Sequence, residues 1–296
     1  MLHLRQRLTL SRDPMLEASG LAVVKSETTI GSTDVKFAYW RECWSFRELL
    51  LILVWRDLLV RYKQTVFGVA WAVIRPFFTM VVFTVIFGRI ANLPSNNIPY
   101  PLLVFAALLP WQFFASTFAD ASNSIVSNAQ MVSKVYFPRI IVPLSSVLVG
   151  LVDLAISFVV MLGVAIWYFY IPGWQIVFLP FMLLLLCTFT FAASIWVAAL
   201  NVKYRDFRYI IPFAIQLGTY MSPVGFSTSV VPEKWQLLFS LNPMVGIIDG
   251  FRWCLLGGSV PFNTLAVVIS VLFTFMLLIP GIRFFRRCET TFADII

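Results

Sequence analysis

From Leu154 to Val202 the chain carries no charged side chain, and the apolar run is interrupted only by Tyr170-Ile171-Pro172-Gly173-Trp174. A helix that crosses a bilayer takes about 20 mostly apolar residues. A run this long, broken near its middle by a Pro-Gly turn, predicts two membrane helices joined by a very short loop. The same pattern along the chain predicts six spans, at roughly Val69 to Ile90, Pro101 to Asp120, Ile141 to Tyr168, Trp174 to Leu200, Tyr209 to Val230 and Thr264 to Ile282. The fold class is therefore all-α integral membrane.

Two segments outside the spans have their own periodicity. Between Val54 and Gln64, a helical wheel puts Val54, Trp55, Leu58, Leu59 and Tyr62 on one arc. It puts Arg56, Asp57, Arg61, Lys63 and Gln64 on the other side. Such a helix lies along a membrane surface, either as a simple flank or as a docking face for a partner. Between spans five and six, Glu233–Leu241 and Met244–Leu256 are apolar but too short to cross. Asn242-Pro243 divides them, and a pair of short re-entrant or surface helices is predicted. Asp249 and Arg252 stand at i, i+3 in the second half, where they pair on one face.

The predicted organisation is a flexible extension over residues 1–42, an amphipathic interface helix over 43–66, a six-span domain over 67–287 and a tail over 288–296. With the N-terminus inside, every Lys and Arg falls on the inner side except Arg89, Lys234 and Arg252. That bias predicts both termini in the cytoplasm. The net charge of +8 is then a topology signal and not a nucleic-acid footprint. Charged residues make up only 12% of the chain, half the usual share of a soluble domain.

No catalytic set is visible: the chain has no phosphate-binding loop of the G-x-x-x-x-G-K-[ST] kind, no nucleophile elbow and no H-E-x-x-H. One histidine and four scattered cysteines offer no metal site. Asp153 falls near the middle of the third span, where a lone carboxylate costs roughly 2.5–3.5 kcal/mol. It reads as a proton relay or as a structural anchor paired with Ser157, Arg75 or a second subunit. On the fifth span, Tyr209, Phe213, Gln216, Tyr220 and Ser227 project within about 60° if the helix is regular, and Thr79, Phe83 and Phe87 form a weaker stripe on the first. Rings alternating with amides and hydroxyls suit carbohydrate. With 16% aromatics such stripes also arise as packing or interfacial belts.

Several stretches taken together, in order, are more specific. They are Arg56-Asp57-Leu58-Leu59-Val60-Arg61-Tyr62-Lys63-Gln64-Thr65 with Gly68-Val69-Ala70-Trp71-Ala72, then Leu109-Pro110-Trp111 with Phe113-Phe114. Next come Asn128 to Lys134 leading into Tyr136-Phe137-Pro138-Arg139, then Asn201-Val202-Lys203-Tyr204-Arg205-Asp206, and last Leu241-Asn242-Pro243 with Gly250-Phe251-Arg252. Over about residues 40 to 290 the chain resembles the membrane subunit of bacterial ABC exporters that move O-antigen, capsule or teichoic-acid polysaccharide. The resemblance implies a homodimeric six-span permease with a dimer of a separate ATPase subunit beneath it. It implies no cofactor on this chain, with ATP and Mg on the partner.

It also implies roles. Arg56, Arg61 and Lys63 on the interface helix, Gln130 and Lys134 on one loop, and Lys203, Arg205 and Asp206 on another would receive motion from the ATPase. Trp235, Asn242, Asp249 and Arg252 would form an outer gate. The two stripes would line the path of an undecaprenyl diphosphate-linked polysaccharide through the bacterial inner membrane. Three rivals predict different residues. An exporter of lipids or drugs wants an apolar pocket, against which Gln216, Tyr220 and Ser227 count. A membrane glycosyltransferase or acyltransferase wants acidic or histidine residues at the membrane surface. A proton-coupled flippase wants more intramembrane charges than Asp153 and Arg75.

Overall fold

The structure, a computed structural model, describes residues 32–63, 68–95, 98–257 and 260–292. The chain divides into two compact units at Phe46. The first contributes one helix, α1 (Ser32–Ser45). The flexible extension expected over residues 1–42 is thus helical from Ser32 onward; residues 1–31 of it lie outside the described residues. The interface helix expected over 43–66 starts later, as α2 (Arg47–Lys63), and its last three positions are outside the described residues.

The second unit is all-helical among the described residues. After α2 come α3 (Gly68–Phe83), continued by a wider π-type segment at Thr84–Ile90, α4 (Tyr100–Ser127), α5 (Ala129–Lys134) and α6 (Ile141–Trp167). A 3-10 stretch, Trp174–Phe178, opens α7 (Leu179–Lys203), and a second one lies at Thr228–Val230. Then follow α8 (Phe207–Met221), α9 (Glu233–Ser240), α10 (Pro243–Leu256) and α11 (Thr264–Glu289). Five stretches are long and apolar enough to cross a membrane: Ala70–Ile90, Tyr100–Ser127, Ile141–Trp167, Trp174–Lys203 and Thr264–Glu289.

The centre of the fold is α4. Leu102 to Leu109 are buried without a break, and the helix packs against α6, α7 and α10. A helix apolar on every side suits such a buried place. The reading that ended this span at Asp120 stopped too early. The helix runs on to Ser127, and the Asp120 carboxylate within it is met by Arg61.

The fifth predicted span is corrected more deeply. Its helix, α8, has 15 residues, about 22 Å at 1.5 Å per residue, against a hydrocarbon core of about 30 Å. Ser222 precedes Pro223 and is extended at φ −114°, ψ 149°. A residue before proline is pushed out of the helical region, so the helix stops there. The two short helices expected next are α9 and α10, near the expected boundaries. Asn242 caps α10 by accepting the Met244 N–H at 3.0 Å, with Pro243 in the first turn. The helix closes at Gly257, whose φ of +62° favours glycine.

Candidate functional site

Four groups from three helices meet at the C-terminal end of α2. Arg61 reaches Asp153 on α6 through Nη1 and Asp120 on α4 through Nη2. The Tyr62 hydroxyl donates to the other oxygen of Asp153. Asp153 is therefore anchored, and by Arg61 and Tyr62 instead of the partners expected. Burial alone would lower the Arg61 guanidinium, but Asp153 and Asp120 outweigh it and hold its pKa above the ordinary value. Burial and the bond to Asp153 push the Tyr62 phenol up as well, so both donors keep their protons.

This geometry moves Asp57 and Arg61 from the water side of the helical wheel to the protein. The face of α2 turned to the protein carries Leu50, Leu53, Val54, Asp57, Leu58, Arg61 and Tyr62, while Trp55 and Leu59 are exposed. The wheel sorted residues into apolar and charged halves, but the buried stripe mixes them because α4 and α6 present carboxylates to it. The signal that would have found this is the i, i+4 spacing of Asp57 and Arg61 in register with Leu50, Leu53 and Val54.

The other residues expected to receive motion are placed as follows. Arg56 donates to Asp57 at 2.7 Å and to the Asn128 side chain at 2.8 Å, where α4 gives way to α5. Lys63, Gln130, Lys134, Lys203, Arg205 and Asp206 are exposed. The Lys203 ammonium lies 5.3 Å from the centroid of the Tyr204 ring. Two contacts were missed. Asn201 donates to the Ser122 carbonyl at 3.1 Å and to Asn123 Oδ1 at 2.9 Å, tying the end of α7 to α4. The Arg139 backbone N–H donates to Glu289 at 2.6 Å, tying the α5–α6 loop to the end of α11.

A second polar centre is built around Arg252, which is 0% exposed. It donates to the carbonyls of Leu103 at 3.2 Å, Phe226 at 2.8 Å and Val224 at 3.2 Å. Asp249 lies 4.0 Å from its guanidinium at the expected i, i+3 spacing and accepts from Thr228 at 2.7 Å. The Tyr100 hydroxyl donates to the Gly225 carbonyl at 2.7 Å, and Asn242 donates to Ser222 Oγ at 3.0 Å. Residues 222–228, which form no α-helix, are thus held from α4 and from the α9–α10 pair, as irregular backbone inside a membrane protein must be. Trp235 is half-exposed, with the Lys234 ammonium 5.9 Å from its ring centroid.

The stripe expected on the fifth span is divided by the end of α8. Tyr209 (82% exposed), Phe213 (65%) and Tyr220 (74%) lie on one open face with Gln216. The opposite face buries Ile211 and sets Gly218 against the Trp111 ring. Ser227 does not share the open face. It is buried in the segment beyond Ser222 and accepts from the Ser229 hydroxyl at 3.0 Å, because Pro223 breaks the register on which the five-residue stripe depended. Thr79 donates to the Arg75 carbonyl. Phe83 and Phe87 are half-buried, their ring centroids 5.5 Å apart, and Phe87 packs over Gly225.

Residues 48–256 match the family model of the ABC-2 type transporter. The chain belongs to the ABC-2 type transporter family. Among its relatives within this family is the O-antigen export system permease protein RfbA of Klebsiella pneumoniae, 29% identical over 259 residues. The match covers 84% of this chain and 95% of the relative. RfbA of Myxococcus xanthus is 31% identical over 72% of this chain and 82% of its own length. The polysialic acid transport protein KpsM of Escherichia coli is 21% identical over 79% of this chain and 91% of its own. The ABC-2 match begins at Glu48 and ends at Leu256, so it takes in α2, all of the Arg61 cluster and the Arg252 centre.

Proposed function

We propose that this chain is the permease subunit of an ATP-driven exporter that moves undecaprenyl diphosphate-linked polysaccharide, O-antigen above the alternatives, from the cytoplasm to the periplasm. Two copies form the conduit, and two copies of a separate ATPase dock beneath them. Both termini are cytoplasmic, on the Lys and Arg distribution. The fifth of six crossings is α8 completed by residues 222–230, and α9 and α10 are re-entrant from the outer side. The chain makes and breaks no covalent bond.

The observation that carries this reading is the open face of α8. A helix facing lipid has no use for the Gln216 amide in its interior, since a polar group buried in hydrocarbon without a partner costs free energy. Facing the same helix of a second copy, Tyr209, Phe213, Gln216 and Tyr220 make a wet, ring-lined wall. Six helices enclose little room for a sugar chain, whereas a symmetric pair of chains encloses a channel between self-complementary walls. The names of the relatives, O-antigen export permeases, point to the same cargo class.

Two measurements test it. Purified from its host, the chain is expected to bring down an ATPase subunit in a 2:2 complex whose hydrolysis rises with lipid-linked O-antigen; a chain that is stable alone would sink the proposal. Tyr220→Ala removes a ring contact worth about 1 kcal/mol, so export is expected to fall about fivefold with ATPase recovery intact. Loss of assembly would make Tyr220 a packing residue.

A further inference from the structure

Arg61 reaches from a helix that is not among the membrane-crossing stretches into two that are. Both oxygens of Asp153 are taken by neighbouring residues of α2, one by Arg61 and the other by Tyr62. The second arm of the same guanidinium holds Asp120. A planar fork serves two acceptors on two helices at once, which a lysine ammonium on one flexible stem does not reproduce. Beside this joint lies a cavity of about 600 Å³ lined by Arg56, Asp57, Asp120, Asn123, Asn128 and Ser146. Toward α4 the packing of α2 is interrupted by this cavity, and the ion pair of Arg61 with Asp120 spans the gap.

Two further polar ties end on the same stretch of α4. Arg56 binds Asn128 at the start of α5, and Asn201 at the end of α7 binds Ser122 and Asn123. The three surfaces assigned above to contact with the ATPase, on α2, α5 and the α7–α8 loop, thus converge within residues 120–128. We infer that Arg61 is a positioning residue that makes α2 move as one body with α4 and α6, so that a push on α2 is delivered to the spans through its two carboxylates. This rests on the ATP-driven exporter reading. It places Arg61 inside the permease as a latch and not on the surface that touches the ATPase.

The cluster holds two guanidiniums, Arg56 and Arg61, against three carboxylates, Asp57, Asp120 and Asp153. Removing Arg61 leaves one cation for all three and lets α2 shift into the cavity. The test is the amount of lipid-linked polysaccharide exported per ATP hydrolysed by the complex of this chain with its ATPase in vesicles. In Arg61→Gln this ratio is expected to fall at least tenfold, while the ATPase subunit is recovered in wild-type amount. A lower yield of folded protein does not move a ratio normalised to hydrolysis. Arg61→Lys keeps the charge but reaches one carboxylate, so it is expected to fall between.

Asp153→Asn leaves the Arg61–Asp120 pair, so it is expected to fall between the parent and Arg61→Gln, and the double variant to be no worse than Arg61→Gln alone, because the groups act as a unit. Losses that multiply, or an unchanged ratio in Arg61→Gln, overturn the latch. If Arg61→Gln does not accumulate, Asp120→Asn, which keeps Asp153 paired, is expected to lower the ratio about threefold, and no change there overturns it. A wild-type chain that recovers no ATPase subunit overturns the exporter reading itself, which separates the two failures.

Discussion

Arg252→Ala is expected to unfold the segment that follows α8 and to abolish export. The guanidinium is fully buried and feeds the carbonyls of Leu103, Val224 and Phe226. Alanine takes the donor from those three carbonyls and leaves the buried Asp249 carboxylate without its counter-charge. Breaking a buried pair by removing one partner costs about 3–5 kcal/mol, and each orphaned carbonyl adds its own desolvation penalty of about 1–3 kcal/mol. A membrane protein of ordinary stability does not keep this segment ordered against that loss. The measurement is the temperature at which half of the solubilised protein still elutes as a single species. Arg252→Ala is expected to lower it by far more than Asp249→Asn, which keeps all three carbonyl bonds. Equal stability of Arg252→Ala and the parent would mean that the three bonds hold nothing.

How much of this was legible in the sequence depends on how far the residues reach. Five crossings could be read because each is a long apolar run whose ends are set locally. The α9–α10 pair was legible for the same reason: Asn242-Pro243 is a start signal that acts within one turn. What failed was every inference that needed a second helix. Asp120 ended a span on paper because a charge in lipid is costly, and only the fold brings Arg61 to it. The α2 wheel put Arg61 in water because periodicity does not know that α6 presents a carboxylate. Ser227 joined the α8 stripe because a regular helix was assumed across Pro223. Asp153 lies between: its need for a partner was plain from its depth, while the partner's identity lay 92 residues away along the chain.

The most discriminating stability test compares two glycines on α10 that the sequence presents alike, Gly246 and Gly250. A methyl group at Gly246 would collide with the backbone carbonyl of Ala266 and with Ser270 Oγ on α11. The Ser270 hydroxyl also donates to the Pro243 carbonyl at 2.6 Å, so the two helices touch backbone to backbone, as small residues allow in membrane proteins. A carbonyl inside a helix cannot rotate away, and alanine at 246 must force the helices apart. At Gly250 the same methyl group would meet the sulfur and Cε of Met182. That is the far end of an unbranched side chain with three rotatable bonds, which moves at little cost. Gly246→Ala is therefore expected to destabilise the protein by about 1–3 kcal/mol or more, as overpacking does, and Gly250→Ala by well under 1 kcal/mol. Because α10 also carries Arg252, separation of α10 from α11 disturbs the Arg252 centre, and Gly246→Ala is expected to lose export along with stability. Equal thermal stability of the two variants would show that α10 and α11 are not held in backbone contact.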